Sequence, residues 1–198
     1  MSISESRTRY HHGDLRNALL DAGSEVAHDL GAESLSLREV ARRAGVSHTA
    51  AYNHFADKNG LLRGIAIRAF ERLTEQLAAT STSLEDAAAA YVRFAMANAA
   101  EFRFMNQPSL CMPEGQPDEL KDAALASYAV LQALVVDLQS RGELAAGDPD
   151  ELTLAVWSQA HGLATIVLET PALKGISPEV AEHLVRAGIR ALREGIGR

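Results

Sequence analysis

Apolar side chains recur every three or four positions through most of the chain, the spacing of helices with one buried face. From Gly13 to Leu30 the stripe is Leu15, Leu19, Ala22, Val26 and Leu30, and Gly31 then suits the left-handed residue that closes a helix. Ser36 with Glu39 fits a reciprocal cap, and Leu37, Val40, Ala41 and Ala44 give the next segment one small apolar face. Gly45 and Val46 make a turn, and Ser47 caps a short helix whose apolar positions, Ala51 and Phe55, lie four apart. Asp57 can cap a long helix that runs through Leu61, Leu62, Ile65, Ala69, Leu73 and Leu77 to Ala79.

The pattern stays helical beyond Ala79. Ser83 caps a helix expected to reach Ala100, and residues 101–106 continue as a short one. Gln107–Pro117 holds three prolines and reads as a loop. Asp118 to Ser140 forms one helix whose stretch from Ala123 to Val136 carries no charge, so it is expected to be surrounded. Asp148, Pro149 and Glu151 supply cap, N1 proline and reach-back acid for a helix to Leu168 that is apolar on nearly all sides. The last helix starts at Ser177-Pro178 and carries Val180, Leu184, Val185, Gly188, Ile189 and Leu192 on one side. Two helices this apolar must be covered by more than their own core. A two-fold pairing into a four-helix bundle would do it, with Ala155, Ala160, Leu163, Val167, Ala181, Leu184, Val185, Gly188 and Leu192 as its interface.

Helix, glycine turn, helix at Ser36–Leu62 is the helix-turn-helix pattern, whose second helix enters the major groove. An ordinary corner between two packed helices has the same outline. The face opposite Ala51 and Phe55 carries His48, Thr49, Tyr52, Asn53 and His54, mostly hydrogen-bonding groups. Lys58 stands in the first turn of the helix after it, where a cation opposes the helix dipole. Together with free amides it would suit a phosphate; a surface lysine without a role is the plainer reading.

Composition and charge then narrow the picture. A chain of 198 residues that is 47% apolar can bury a substantial core. Its one cysteine, Cys111, excludes an internal disulfide and a cysteine-cluster metal site and reads as a small half-buried hydrophobe. The N-terminus has no apolar run, and the uncharged stretch is shorter than the ~20 residues a bilayer needs. A soluble, cytoplasmic protein without a membrane partner is expected. The net charge of −7 is unevenly placed: residues 1–63 hold 8 basic and 8 acidic side chains, so the whole excess lies beyond them. Arg7, Arg9, His11 and His12 mark residues 1–12 as either a solvated tail or an arm reaching DNA.

Tyr10–Arg16, followed by Gly45-Val46-Ser47, Tyr52-x-x-Phe55, Lys58 and Leu61-Leu62, resembles the N-terminal domain of the TetR family of bacterial transcriptional repressors over the first 75 residues. The resemblance implies an all-α fold, with an N-terminal three-helix helix-turn-helix head and a C-terminal helical domain for ligand binding and dimerisation. It maps the family's DNA contacts onto His48, Thr49, Ala50, Tyr52, Asn53 and His54, with Tyr52 and Lys58 on phosphates. Arg9, Ser36 and Ser47 complete the predicted DNA-contacting set. Two departures stand out: Ala51 occupies a position where relatives often have proline, and Asn59-Gly60 replaces an acidic helix start. Trp157-x-x-x-His161-Gly162 is similar to a signature of one subgroup of the family's C-terminal domains.

The resemblance also implies double-stranded DNA, a small-molecule effector and a second copy of the chain as partners. Tyr91, Phe94, Asn98, Phe102, Met105, Tyr128, Trp157 and His161 are candidates for the effector pocket, or for ordinary packing. His161 suits a ligand or metal, or a hydrogen bond inside the core. The organisation expected is an arm at 1–12, a head at 13–57, a connecting helix at 58–79 and an effector and dimerisation domain at 80–198. No Ser/His/Asp set, phosphate loop or ligand-spaced His/Cys cluster argues for an enzyme, a metal or a cofactor. A protein-binding helical adaptor, or an activator on the same fold, is the alternative to a repressor.

Overall fold

The structure is a computed structural model that describes residues 12–110, 112, 118–173 and 175–196. Among the described residues it is all-helical. The order is α1 (His12–Leu30), α2 (Leu37–Arg43), α3 (His48–Tyr52), α4 (Lys58–Thr80), α5 (Leu84–Ala97), α6 (Ala99–Met105), α7 (Glu119–Ser140), α8 (Pro149–Glu169) and α9 (Pro178–Ile196). Single 3-10 turns stand at Ala32–Ser34, Pro108–Leu110 and Pro171–Leu173. The chain divides into two units, Met1–Ile65 and Ala66–Arg198, and the division falls inside α4. Arg9, the rest of the proposed arm up to residue 11, and Cys111 lie outside the described residues.

In the first unit α1, α2, α3 and the start of α4 share one core. Leu19, Leu20, Val26, Leu35, Val40 and Leu61 are fully enclosed in it, each contributing about 2 kcal/mol of apolar burial. Leu30, expected in the α1 stripe, is instead exposed, because the last turn of the helix projects past that core. Glycine permits close approach at Gly23, where a Cβ would stand 2.8 Å from Ile65, and at Gly64. A Cβ on Gly64 would stand 2.9 Å from a methyl of Leu20 and 3.3 Å from the Phe55 ring. The cap of α2 is half of the box expected: the Ser36 hydroxyl accepts from the Glu39 amide at 3.2 Å, but the Glu39 carboxylate turns to Arg42 at 2.9 Å. An ion pair one turn on outcompeted the reach back to the cap.

The second unit is built around α5, which packs against both α8 and α9, while α7 packs on α8. Nine residues of α5 are buried, most of them alanine, so neighbouring helices can cover it on several sides. Three ion pairs clamp α5 to α9: Arg93 holds Glu182 through two bonds of 2.6 and 2.8 Å, Arg186 holds Asp86 at 2.8 Å, and Arg193 holds Glu85 at 3.0 Å. α5 stops at Ala97 rather than Ala100. Asn98 leaves helical geometry at φ −127° and its amide donates to the Phe94 carbonyl at 2.8 Å, which ends the helix.

Two further expectations are corrected. α7 is not surrounded: only a stripe of Leu120, Ser127, Leu131, Val135 and Leu138 is buried, and Leu125 and Val136 are exposed. Lack of charge kept no face of this helix from solvent. At 22 residues it is also long and apolar enough, by length and composition alone, to cross a bilayer, because the span includes residues flanking the uncharged stretch. On α8 the cap is Asp148 accepting from the Asp150 amide at 2.9 Å, with the Asp150 carboxylate taken by the Gln132 amide. Glu151 is exposed, and no bond from it back to the cap is formed.

Candidate functional site

In the first unit the turn between α2 and α3 is closed by Gly45 at φ 68°, with the Val46 amide donating to the Ala41 carbonyl at 3.0 Å. Ser47 then caps α3, its hydroxyl accepting from the Ala50 amide at 3.1 Å. Ala51 and Phe55 are buried and fix the roll of this short helix. The roll exposes Ser47, His48, Thr49, Tyr52 and Asn53 on one side, with Ala50 and His54 half-buried beside them. His48 packs edge-on to the Tyr52 ring, with centroids 4.6 Å apart. Asp57 caps α4 through the Gly60 amide at 2.8 Å. Lys58 is exposed, and its ammonium reaches the Ala32 carbonyl at 3.4 Å, a weak bond that a phosphate could replace. Ser36 is exposed too, with its hydroxyl already used as a cap.

The face of α3 carries no charged side chain. Carboxylates of the first unit are held by arginines away from it: Glu39 by Arg42, and Asp29 and Glu25 by Arg43 at 2.8 and 3.4 Å. The Arg42 and Arg43 bonds hold the carboxyls of Glu39 and Asp29 below the usual carboxylate range. Arg38 was not among the predicted contacts. It is exposed in the first turn of α2 and makes no ion pair among the described residues. A basic residue where a helix prefers an acid was its signal, the same one that drew notice to Lys58.

The second unit contains a cavity of about 310 Å³. Of the predicted pocket residues, Tyr91, Met105, Tyr128 and Trp157 line it. Phe94, Asn98, Phe102 and His161 do not. Phe94 is core, and Asn98 is spent on ending α5 and on Arg72 at 3.3 Å. Phe102 and His161 stand behind the wall. His161 stacks on Trp157 at 4.8 Å, and its Nδ1 is 2.9 Å from the Tyr91 hydroxyl. Burial lowers the His161 pKa and raises that of Tyr91 above its ordinary range. No cluster of three metal-binding side chains occurs among the described residues. Phe70, Leu77, Asn106, Lys121, Leu131 and Val156 also line the cavity and were not foreseen. They come from three helices and the C-cap of α6, and only Lys121 carries a sequence signal, as a cation in the first turn of α7.

The predicted interface residues fall into two groups. Ala160, Val167, Ala181 and Val185 are buried inside the second unit, so helical periodicity had marked its own core. Ala155, Leu163, Gly188 and Leu192 are half-buried and Leu184 is exposed. Leu184 lies with Val180 on α9, and Leu154 and Ile166 stand out from α8; all four are 44% to 52% exposed. Gly188 lies under the end of the exposed Gln159 side chain from α8.

Comparison with known proteins agrees across the chain. Residues 84–192 match the family model described as "Tetracyclin repressor-like, C-terminal domain", and residues 19–65 match "Bacterial regulatory proteins, tetR family". The HTH-type transcriptional regulator AlkX of Mycobacterium tuberculosis is 35% identical over 66 residues, a match spanning 33% of this chain and 31% of AlkX. A protein of unknown function from Rhodococcus sp. RHA1 is 30% identical with a TM-score of 0.79, covering 98% of this chain and 100% of that one. A TetR-family transcriptional regulator from Pectobacterium atrosepticum shares the fold at a TM-score of 0.72 and 22% identity, covering 96% and 97%.

Proposed function

Because this chain belongs to the TetR family of DNA-binding transcriptional regulators, we propose that it is a homodimeric repressor that leaves its operator when a small, mostly apolar molecule enters the cavity of its second unit. The cavity carries this reading. A space of about 310 Å³ walled by Leu77, Leu131, Val156 and Trp157 has the size and the mostly apolar lining of a small-molecule site.

Each head sets Ser47–His54 into the major groove of one half-site. Base edges are read by His48, Thr49 and Asn53, and phosphates are held by Tyr52, Lys58 and Arg38. The half-sites of the pseudo-palindrome lie one helical turn or more apart, at roughly 34–36 Å per turn. The second copy covers the exposed apolar residues Leu154, Ile166, Val180 and Leu184 in an isologous pairing of α8 and α9. The ligand favours a form of the dimer whose heads no longer match the operator, which requires different affinities for the two forms. Its place of action is the cytoplasm, where that DNA lies.

Gel-shift titration on the DNA upstream of its own gene tests the reading. The dimer is expected to shift that DNA at low salt and to release it on ligand addition. A folded dimer that shifts no DNA would favour a helical adaptor instead. A reporter that loses transcription when the protein is removed would make it an activator.

A further inference from the structure

The walls of the cavity contain one charged side chain, Lys121, and no carboxylate. The uncharged polar groups of the wall are already committed. The Tyr91 hydroxyl pairs with His161 at 2.9 Å, the Ser127 hydroxyl donates to the Ala124 carbonyl at 2.8 Å, and the Asn106 amide donates to the Phe102 carbonyl at 2.8 Å. The Tyr128 hydroxyl is turned toward the Asp150 carbonyl at 3.4 Å.

Lys121 is different. It is exposed, so it stands where the cavity opens, and its ammonium makes no ion pair or hydrogen bond among the described residues. Glu119 and Asp122 are two positions before and one after, spacings that do not face each other on a helix, and Asp118, three before, is engaged as the cap of α7 by the Leu120 and Lys121 amides and by the Met112 amide. A cation in the first turn also opposes the dipole of its own helix. Among the described residues no side chain rewards a lysine at this position.

We infer that the molecule taken up is an amphipathic carboxylic acid, its apolar tail among Leu77, Leu131, Val156 and Trp157 and its carboxylate on Lys121. This deepens the proposed function and rests on the cavity being the effector site. A cavity of about 310 Å³ stands at the small end of ligand sites, so a medium-chain acid, octanoate, serves as the probe.

Trp157, the single tryptophan of the chain, lines the cavity and reports occupancy by its fluorescence. The full-length protein is titrated at pH 7 with octanoate, octan-1-ol and octylammonium. Octanoate is expected to bind about tenfold tighter than the alcohol, the value of one charge-assisted bond, with the ammonium weakest. Lys121→Met is expected to erase the preference for the acid and leave the alcohol unchanged. Lys121→Glu is expected to turn the preference toward octylammonium. Glutamate in a first turn suits the helix dipole, so this variant keeps its fold, which far-ultraviolet circular dichroism verifies. Equal binding of acid and alcohol, or a preference that survives Lys121→Met, would overturn the inference and leave the cavity reading standing. Silence of Trp157 toward all three probes would overturn both.

Discussion

At Gly45 the backbone stands at φ 68°, a region that costs any other L-residue roughly 1–2 kcal/mol. Gly45→Ala is therefore expected to lower the thermal stability of the head and weaken operator binding, measured by melting and gel shift. Tyr52→Phe with Lys58→Ala should reduce affinity for every DNA sequence alike and flatten the salt dependence, because the proposed role of these side chains is to hold phosphates, which carry no sequence information. His48→Ala should instead change base preference in a binding-site selection. An unchanged salt slope in the first variant would remove the phosphate assignments. His161 makes a pH test. Its folded pKa is depressed by burial, so the unfolded chain takes up the proton first as pH falls. The stability it gives is complete above its ordinary pKa of about 6.5 and is lost as pH drops through the lower folded value. Urea unfolding between pH 7.5 and 5.5 should show that loss in the native protein and less of it in His161→Gln. The head was legible at this scale because each cue there is local: a cap, a glycine, an i,i+4 apolar pair. Lys121 gave a local cue as well, but only the cavity beside it gives the cue a meaning.

Helices add what single positions cannot. α5 shows in sequence only as a helix capped by Ser83, yet it is the centre of the second unit, because a run of alanines lets α8 and α9 approach it. Two neighbours on it should behave oppositely when enlarged. Ala89 is fully buried away from the cavity, so Ala89→Leu overpacks the core and should cost about 1–3 kcal/mol. Ala88 lines the cavity, so Ala88→Leu should fold, bind operator and no longer answer to ligand in the gel shift. α7 shows that absence of charge is not burial: Leu125, which borders the cavity, and Val136 are both exposed. Small apolar residues on α8 and α9 were taken for an interface, but a helix packed inside one chain needs the same spacing as one packed on a copy. The exposed residues separate the two cases. Ile166→Glu with Leu184→Glu should give a folded monomer by light scattering that has lost operator affinity, whereas substitutions at Ala181 or Val185 should unfold the second unit.

For the whole chain, the division of labour follows its charge: a head of zero balance, and an acidic remainder in which Arg93, Arg186 and Arg193 are engaged by glutamate and aspartate across α5 and α9. The helical class could be read from sequence, since it follows from spacing summed over many residues. The cavity could not. Its walls come from residues up to ninety positions apart on α4, α5, α6, α7 and α8, and no local pattern encodes a gap between them. The pairing of Arg42 with Glu39 and of Arg43 with Asp29 has a consequence for how the protein finds its address. Random genomic DNA holds a protein through counterion release, about 0.9 of a salt-slope unit for each phosphate neutralised. A head that has neutralised two of its own arginines grips random sequence lightly. It should travel by frequent hops with short sliding runs between them, show a shallow salt dependence on non-operator DNA, and leave a large fraction of molecules free to meet the ligand. Single-molecule tracking on stretched DNA, comparing native protein with Glu39→Gln, would measure the lengthening of those runs when one arginine is released.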